Sequence, residues 1–328
     1  MFQIKLKNNK TFICDKDSTI FEAAKKSNIV LEHSCLSSRC RSCVVKVLSG
    51  KTINKEEELV LTEEDKNGNF VLSCNAKPLS DIELDIEDLG EIILFEKKIT
   101  PSKISVIEKL TDNILKIVLR LPPNSNFNFN SGQYVNIIKG NITRSYSIAN
   151  SSDHKNQLEF FIKNYENGLM SKYLFEEAKI NDLLRLEGPI GTFFLRGASF
   201  KNIVFLATGT GIAPIKSILE GIDKSHEQYL NKNFWVIVGA RYQEDLFWKP
   251  NLKNLHIKYI PVLSRQFNNW TGEKGYVQDI VLKQQIDLEN TQVYACGSND
   301  MINSAKELFF KNNLKENNFF SDAFVQTN

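Results

Sequence analysis

Residues 35–43 read Cys35-Leu36-Ser37-Ser38-Arg39-Cys40-Arg41-Ser42-Cys43, and a fourth cysteine, Cys74, returns after the apolar run Phe70-Val71-Leu72. Four and then two residues separate the members of the triplet. Upstream, Phe2, Ile4 and Leu6 alternate with Gln3, Lys5 and Lys7, a strand pattern that lacks the apolar block of a signal peptide. This predicts a cytoplasmic protein. In a reducing compartment the chain's 6 cysteines are not expected to form a disulfide framework, so a tight group of them reads first as a metal site.

The C-x4-C-x2-C…C spacing is that of plant-type 2Fe-2S sites. Three thiolates from one irregular loop can wrap the cluster, backbone N–H groups can point at its sulfurs, and the fourth thiolate ties the loop to the core. Zinc is the competing metal. Its sites present two close Cys/His pairs, whereas here a triplet faces a lone cysteine, so iron and sulfur are favoured on Cys35, Cys40, Cys43 and Cys74. A Rieske centre needs two histidines, and this region offers only His33, which reads as a satisfied loop residue. Cys14, alone on a strand, reads as packing.

The 328 residues exceed one ordinary core, and 42% apolar content can fill several. No stretch approaches the roughly 18 apolar residues of a membrane helix, and a formal charge of +2 without a basic stripe argues against nucleic acid. The chain divides into three modules. Residues 1–92 open with a hairpin around Asn8-Asn9 and a short helix capped by Ser18, with Ile20, Ala23 and Ala24 on one face. A charged linker around Glu96-Lys97-Lys98 and Pro101 leads to residues 98–198. There Ile104-Ser105-Val106, Ile114–Leu121, Tyr134–Ile138, Tyr146–Ala149 and Leu158–Lys163 have the rhythm of a small antiparallel barrel. Residues 200–328 switch to strand, glycine loop and helix, with Ile203–Ala207, Trp235–Val238 and Gln292–Ala295 as buried strands and Pro214–Ile222 as a helix. The predicted fold is therefore multidomain: a β-grasp (α+β) 2Fe-2S module, an antiparallel β-barrel and an α/β nucleotide-binding module.

Thr208-Gly209-Thr210-Gly211-Ile212-Ala213-Pro214 joins a buried strand to a helix, where missing side chains let backbone amides approach a dinucleotide diphosphate. Arg144-Ser145-Tyr146-Ser147 lies on a barrel strand. With these motifs in place, residues 98–328 resemble the ferredoxin–NAD(P)H reductase family, and residues 1–92 resemble plant-type ferredoxins. The resemblance implies FAD bound through Arg144, Ser145, Tyr146 and Ser147: a guanidinium fork for the diphosphate, an aromatic ring for the flavin or ribityl chain, and a catalytic hydroxyl near flavin N5. It implies a second flavin element at Gly168, Met170 and Ser171, followed by Gly188-Pro189-Ile190-Gly191 closing the barrel. It implies nicotinamide contacts from Thr208, Gly209, Thr210, Gly211 and Pro214. Cys296 (catalytic) and Gly297 would lie near the hydride, and Phe324 near the flavin ring. The family has glycine or another small residue where Ser38 and Arg41 stand. Arg39 and Arg41 read as solvated, as do the acidic runs Glu56–Glu58 and Glu63–Asp65; a positive charge at Arg41 would raise the cluster's potential, so that Arg41→Gly would lower it.

Nicotinamide gives up two electrons as hydride and a cluster accepts one, so the resemblance implies flow from NADH through FAD to the cluster and on to a protein acceptor. NADPH is the alternative donor, because Ser264-Arg265 follows a strand where the family can hold a 2′-phosphate. Leu61–Asp65 and Asp81–Asp85 resemble reductases that serve a CDP-4-keto-6-deoxyglucose 3-dehydrase in dideoxyhexose (lipopolysaccharide) synthesis. Reductase components of aromatic oxygenases share the same three modules, and a non-enzymatic redox sensor or binding subunit is the reading from another class.

Overall fold

The computed structural model describes residues 1–90, 92–154, 156–197, 200–265 and 269–324. The expected boundary at residues 198–200 and the last four residues thus fall partly outside the described residues. The chain forms two compact units, residues 1–94 and the remainder from residue 95.

In the first unit, β1 (Phe2–Leu6) and β2 (Thr11–Cys14) form the expected hairpin, with Asn9 in the left-handed region at φ 64°. Helix α1 (Ile20–Lys26) follows, then β3 (Val44–Ser49), β4 (Thr52–Asn54), α2 (Glu63–Asn67), β5 (Phe70–Leu72), β6 (Ala76–Pro78) and β7 (Ile82–Leu84). Strands run β2-β1-β7-β3-β5 in one sheet, with β4 and β6 as a separate ladder. Ile4, Leu6, Phe12, Ile20, Ala23, Ala24, Val45 and Leu84 fill the core between sheet and α1, and Cys14 is buried among them as expected. The cap of α1 is Thr19 and not Ser18. Thr19 Oγ1 accepts from the Glu22 N–H at 3.2 Å while the Glu22 carboxylate accepts from the Thr19 N–H at 2.9 Å, a reciprocal capping box that Ser18 has no partner to form.

The second unit begins with β8 (Lys98–Thr111), β9 (Ile114–Arg120), β10 (Tyr134–Lys139), β11 (Ile142–Ser147), β12 (Gln157–Lys163), α3 (Leu169–Lys172) with a π-helical turn to Glu177, and β13 (Leu183–Ile190). These strands form an antiparallel sheet ordered β11-β10-β13-β8-β9-β12. The Ala149 N–H donates to the Glu159 carbonyl at 2.8 Å, drawing the two ends of that order together into the barrel. Pro101 lies inside β8 rather than in a linker. It is tolerated because that part of β8 pairs with β13 alone; β9 joins only from Lys103.

The chain continues with β14 (Asn202–Thr208), α4 (Ile212–Lys224), β15 (Asn233–Ala240), β16 (Ile257–Leu263), β17 (Glu273–Lys274), α5 (Val277–Lys283), β18 (Thr291–Gly297), α6 (Asn299–Phe310) and β19 (Phe319–Ala323). Their parallel sheet runs β17-β16-β15-β14-β18-β19. After β14 the chain adds strands on one side and then crosses to β18 on the other. The C-terminal ends of β14 and β18 thus flank the switch point where such sheets bind ligands. Barrel and sheet share one core: Ile114, Ala149, Phe161 and Phe193 pack with Phe205, Ile215, Ile218 and Tyr294. Helix α4 is fastened to the barrel as well. Ser217 Oγ donates to the Asn150 carbonyl at 2.7 Å and accepts from the Gly132 N–H at 3.2 Å, and Lys216 bridges Glu220 at 2.6 Å and Glu159 at 3.2 Å. None of the described helices is long and apolar enough to cross a membrane.

Candidate functional site

Two elements that already share a ladder gather half of the cysteine motif. Cys43 precedes β3 and Cys74 follows β5; Val44 faces Leu72, and the Ser73 N–H donates to the Cys43 carbonyl at 2.9 Å. Their sulfurs lie 3.2 Å apart. The loop itself brings the other two together. Cys40 Sγ accepts from the Cys35 N–H at 3.3 Å, and Cys35 Sγ accepts from the N–H groups of Ser37 and Arg39, both at 3.4 Å. Turning successive amides toward sulfur takes left-handed backbone: Leu36, Ser38 and Arg41 have φ of 53°, 59° and 62°. Side chains at positions 38 and 41 therefore do not reroute the loop; they take the conformation a glycine would, at about 1–2 kcal/mol each.

Within each pair the two sulfurs shift one another in opposite directions. Donation from the Cys40 thiol, with the amides of Ser37 and Arg39, holds Cys35 down at about 4, while that same bond and burial push Cys40 up. Cys43 likewise donates to Cys74, lowering it to about 7, and is itself raised. Among the described residues no three His, Cys, Asp or Glu side chains converge on one point. A single tetrahedral ion needs its ligands around one centre. Two close pairs, ringed by N–H donors, instead fit two irons bridged by sulfide, one pair to each. His33 is a satisfied loop residue, its Nδ1 2.9 Å from the Leu31 carbonyl and its ring against Phe21.

Arg39 is exposed, as expected, but Arg41 is not solvated. Its Nη1 donates to the Val60 carbonyl at 2.5 Å, and its fork grips Asp65 at 2.8 and 3.2 Å. Burial opposes ionisation of Asp65, yet Arg41 and Thr62 outweigh it and hold the carboxyl at about 2. The acidic run is thus not a uniformly solvated face. Glu58 also folds back, accepting from the N–H groups of Val60 and Leu61. Nor is Arg41 an isolated positive charge, because Asp65 offsets it.

On the barrel, β11 carries Arg144-Ser145-Tyr146-Ser147 as expected. Arg144 is half-buried, bonded to the Thr143 carbonyl at 2.8 Å and without a carboxylate partner among the described residues. That leaves a guanidinium fork open to an anion. Tyr146 packs against the barrel core, and burial raises its phenol. Ser147 is buried. Ser145 differs from expectation: its hydroxyl donates to Asn136 Oδ1 at 2.7 Å and braces β10. At the second element, Met170 lies in the barrel core and Ser171 Oγ folds back onto the carbonyls of Gly168 and Tyr165 at 2.9 and 3.2 Å. Side chains at 170 and 171 therefore hold the turn, and what it can offer a diphosphate is its amides. A Cβ at Gly168 would stand 2.4 Å from Ser171 Oγ and would displace that hydroxyl from the carbonyls it caps.

The nicotinamide loop converges with the end of β18. A Cβ at Gly211 would meet the Cys296 carbonyl oxygen at 2.2 Å, and one at Gly297 would meet Thr208 Oγ1 at 2.1 Å. Gly297 has φ 153° and Gly209 φ 56°. Thr208 Oγ1 also accepts from the Ser298 N–H at 3.4 Å, a contact the sequence reading missed although Ser298-x-x-Met301 is an evident helix-cap pattern at α6. Pro214 sits in the first turn of α4, where its missing N–H costs nothing. The Phe324 N–H donates to the Gly297 carbonyl at 3.0 Å, bringing the tail to this corner. Cys296 does not present its thiol at this corner: the thiol is fully buried in the common core and raised well above the usual range by burial and by Asp322. Only its backbone borders the loop.

Residues 4–79 match the 2Fe-2S iron-sulfur cluster binding domain, residues 101–195 the oxidoreductase FAD-binding domain and residues 205–307 the oxidoreductase NAD-binding domain. The CDP-6-deoxy-L-threo-D-glycero-4-hexulose-3-dehydrase reductase of Yersinia pestis is 40% identical over 315 residues, covering 96% of this chain and 95% of that one. The chain belongs to the iron–sulfur flavoprotein reductases. Protein RfbI of Salmonella typhimurium is 36% identical over 98% of this reductase and 96% of its own length, and the phenol hydroxylase P5 protein of Acinetobacter pittii 28% identical over 96% and 92%. An Amycolatopsis cytochrome P450 reductase has the same fold, with a TM-score of 0.73 at 20% identity over 99% of both chains.

The reductase is an oxidoreductase that uses a nicotinamide, FAD and a 2Fe-2S cluster to reduce a protein acceptor. FAD supplies the exchange between hydride and single electrons. The chain's own residues hold and shield. Glycines 209, 211 and 297 leave backbone open for a dinucleotide, the Arg144 fork would suit a diphosphate, and the amides of Ser37 and Arg39, which point at Cys35 Sγ, would favour negative charge on that sulfur.

Proposed function

We propose that this reductase carries electrons from NADH, through FAD held by Arg144, Tyr146, Ser147 and the Gly168 turn, to a cluster on Cys35, Cys40, Cys43 and Cys74, and on to a CDP-4-keto-6-deoxyhexose 3-dehydrase. The observation that carries the choice of acceptor is end-to-end identity of 40% and 36% with the Yersinia reductase and RfbI, against 28% with the phenol hydroxylase component. Thr208, Gly209, Thr210, Gly211, Pro214 and Gly297 would cradle the dinucleotide, with Phe324 covering the flavin side. Ser147 is the proposed catalytic hydroxyl, and Cys296 serves as a packed floor and not as a titrating group. NADPH remains the competing donor, since Ser264 and the exposed Arg265 follow β16. Six free thiols fit a reducing, cytoplasmic setting.

Anaerobic mixing with NADH or NADPH tests the donor and the order of transfer: flavin bleaching should precede cluster reduction and be faster with NADH. Adding a purified 3-dehydrase of this class should reoxidise the reductase, whereas an oxygenase component should not. An inert spectrum with both nucleotides would leave a sensing role; reoxidation by the oxygenase alone would shift the acceptor.

A further inference from the structure

The four cysteines arrive on two separate stretches of chain. Cys35, Cys40 and Cys43 come from the loop before β3, while Cys74 comes after α2 and β5, and the ladder between β3 and β5 aligns only the Cys43 and Cys74 ends. Midway round the loop, Arg41 stands between two ligands with φ 62°, a conformation a side chain resists. Its guanidinium crosses to the other stretch. There it takes the Val60 carbonyl and both oxygens of Asp65, the residue that also closes the cap of α2 through the Thr62 N–H at 2.7 Å and hydroxyl at 2.9 Å. Arg41 and Asp65 side chains are 31% and 17% exposed, shielded enough for a forked pair to count.

We infer that the Arg41–Asp65 pair is a clasp that positions the cluster: it fastens the Cys40-Arg41-Ser42-Cys43 segment to the stretch that delivers Cys74, and so holds the two sulfur pairs at a fixed separation. Arg41 and Asp65 touch no reacting atom and act through the ligand loop. Charge alone would not need this geometry, since a carbonyl and a cap are recruited along with the carboxylate. The inference rests on the four cysteines being the ligands.

The test compares full-length, cluster-loaded wild type with Arg41→Gln, Asp65→Asn, the double variant, Arg41→Lys and Thr62→Ala. Iron release to a chelator is followed together with the EPR signal of the reduced cluster, with flavin content as the check on folding. Both single variants should lose iron about fivefold faster, the double variant no faster than the worse single, since a partly buried forked pair contributes about 1 kcal/mol. The two singles should show the same altered EPR signal. Arg41→Lys, which keeps the charge without the fork, should fall between, and Thr62→Ala, which removes the cap but leaves the pair, should stay near wild type. Wild-type release rates in Arg41→Gln, multiplicative effects in the double variant, or Thr62→Ala matching Asp65→Asn would each overturn the clasp. So would opposite shifts of midpoint potential in the two singles with unchanged iron release. Wild-type protein purified with zinc in place of iron would instead overturn the assignment of an iron–sulfur cluster to these cysteines.

Discussion

Replacing Gly211 by alanine tests how the nicotinamide loop is built. The new Cβ would lie 2.2 Å from the Cys296 carbonyl oxygen, 2.6 Å from its carbon and 3.0 Å from the Gly297 nitrogen. All three are backbone atoms of the buried strand β18, so no side chain can swing aside. Reaching ordinary contact requires the start of α4 and the end of β18 to part by about 1 Å, and forced overpacking of this kind costs about 1–3 kcal/mol. Charged against the closed loop that binds dinucleotide, this corresponds to roughly 5- to 150-fold weaker binding. Hydride transfer should slow as well, because displacement on this scale can cost about 100-fold in rate. Stopped-flow flavin bleaching across a range of NADH concentrations separates the two effects. Cluster content and reduction by dithionite should match wild type, since the first unit is untouched. A Gly211→Ala protein with wild-type NADH affinity and bleaching rate would refute the close approach of loop and strand on which the reasoning depends.

Arg144→Ala should retain the barrel but release FAD on dilution, with a dissociation constant raised about 10- to 100-fold, the worth of a charge-assisted bond to phosphate, read by recovery of free-flavin fluorescence. Burial pushes Cys14 up to about 11 and raises Cys296 well above the ordinary thiol range, so both favour the protonated form. Alkylation of the native holoprotein at about pH 9 should therefore leave these two unmodified by mass spectrometry, and modification of Cys296 without unfolding would contradict its burial. Ser217→Ala strips two bonds from a fully buried joint and should lower the stability of the flavin–nicotinamide unit by about 1–3 kcal/mol in urea titrations that follow flavin fluorescence.

What could be read in the sequence is what chemistry confines to a short stretch. Four thiols at 35, 40, 43 and 74 announce a cluster because iron sets their spacing, and Thr208–Pro214 announces a dinucleotide because a diphosphate needs bare backbone. Strands β14, β15 and β18 were legible for a similar reason, being buried on both faces and so continuously apolar. Pairings across the chain were not. Arg41 and Asp65 are separated by 24 positions, and nothing local distinguishes a clasped arginine from a solvated one. Thr62-x-x-Asp65 could have been recognised as a capping box, which would have removed Asp65 from the supposed solvated face. Pro101 looked like punctuation because strand neighbours are invisible in one dimension, and Ser145 looked like a ligand residue because its partner Asn136 lies on the next strand. Cys296 was placed correctly at the end of β18, but which face of a strand is sealed depends on what packs above it, here the barrel's own residues.

That common core between barrel and parallel sheet bears on how spent nucleotide leaves. Prising the halves apart would wet the apolar seam around Phe161, Phe193, Phe205 and Tyr294; uncovering even about 200 Å² would cost about 5 kcal/mol. Product departure would then proceed at the surface while the seam stays shut, on the side where the Phe324 N–H is bonded to the Gly297 carbonyl. Each exchange of nucleotide would then leave that seam dry.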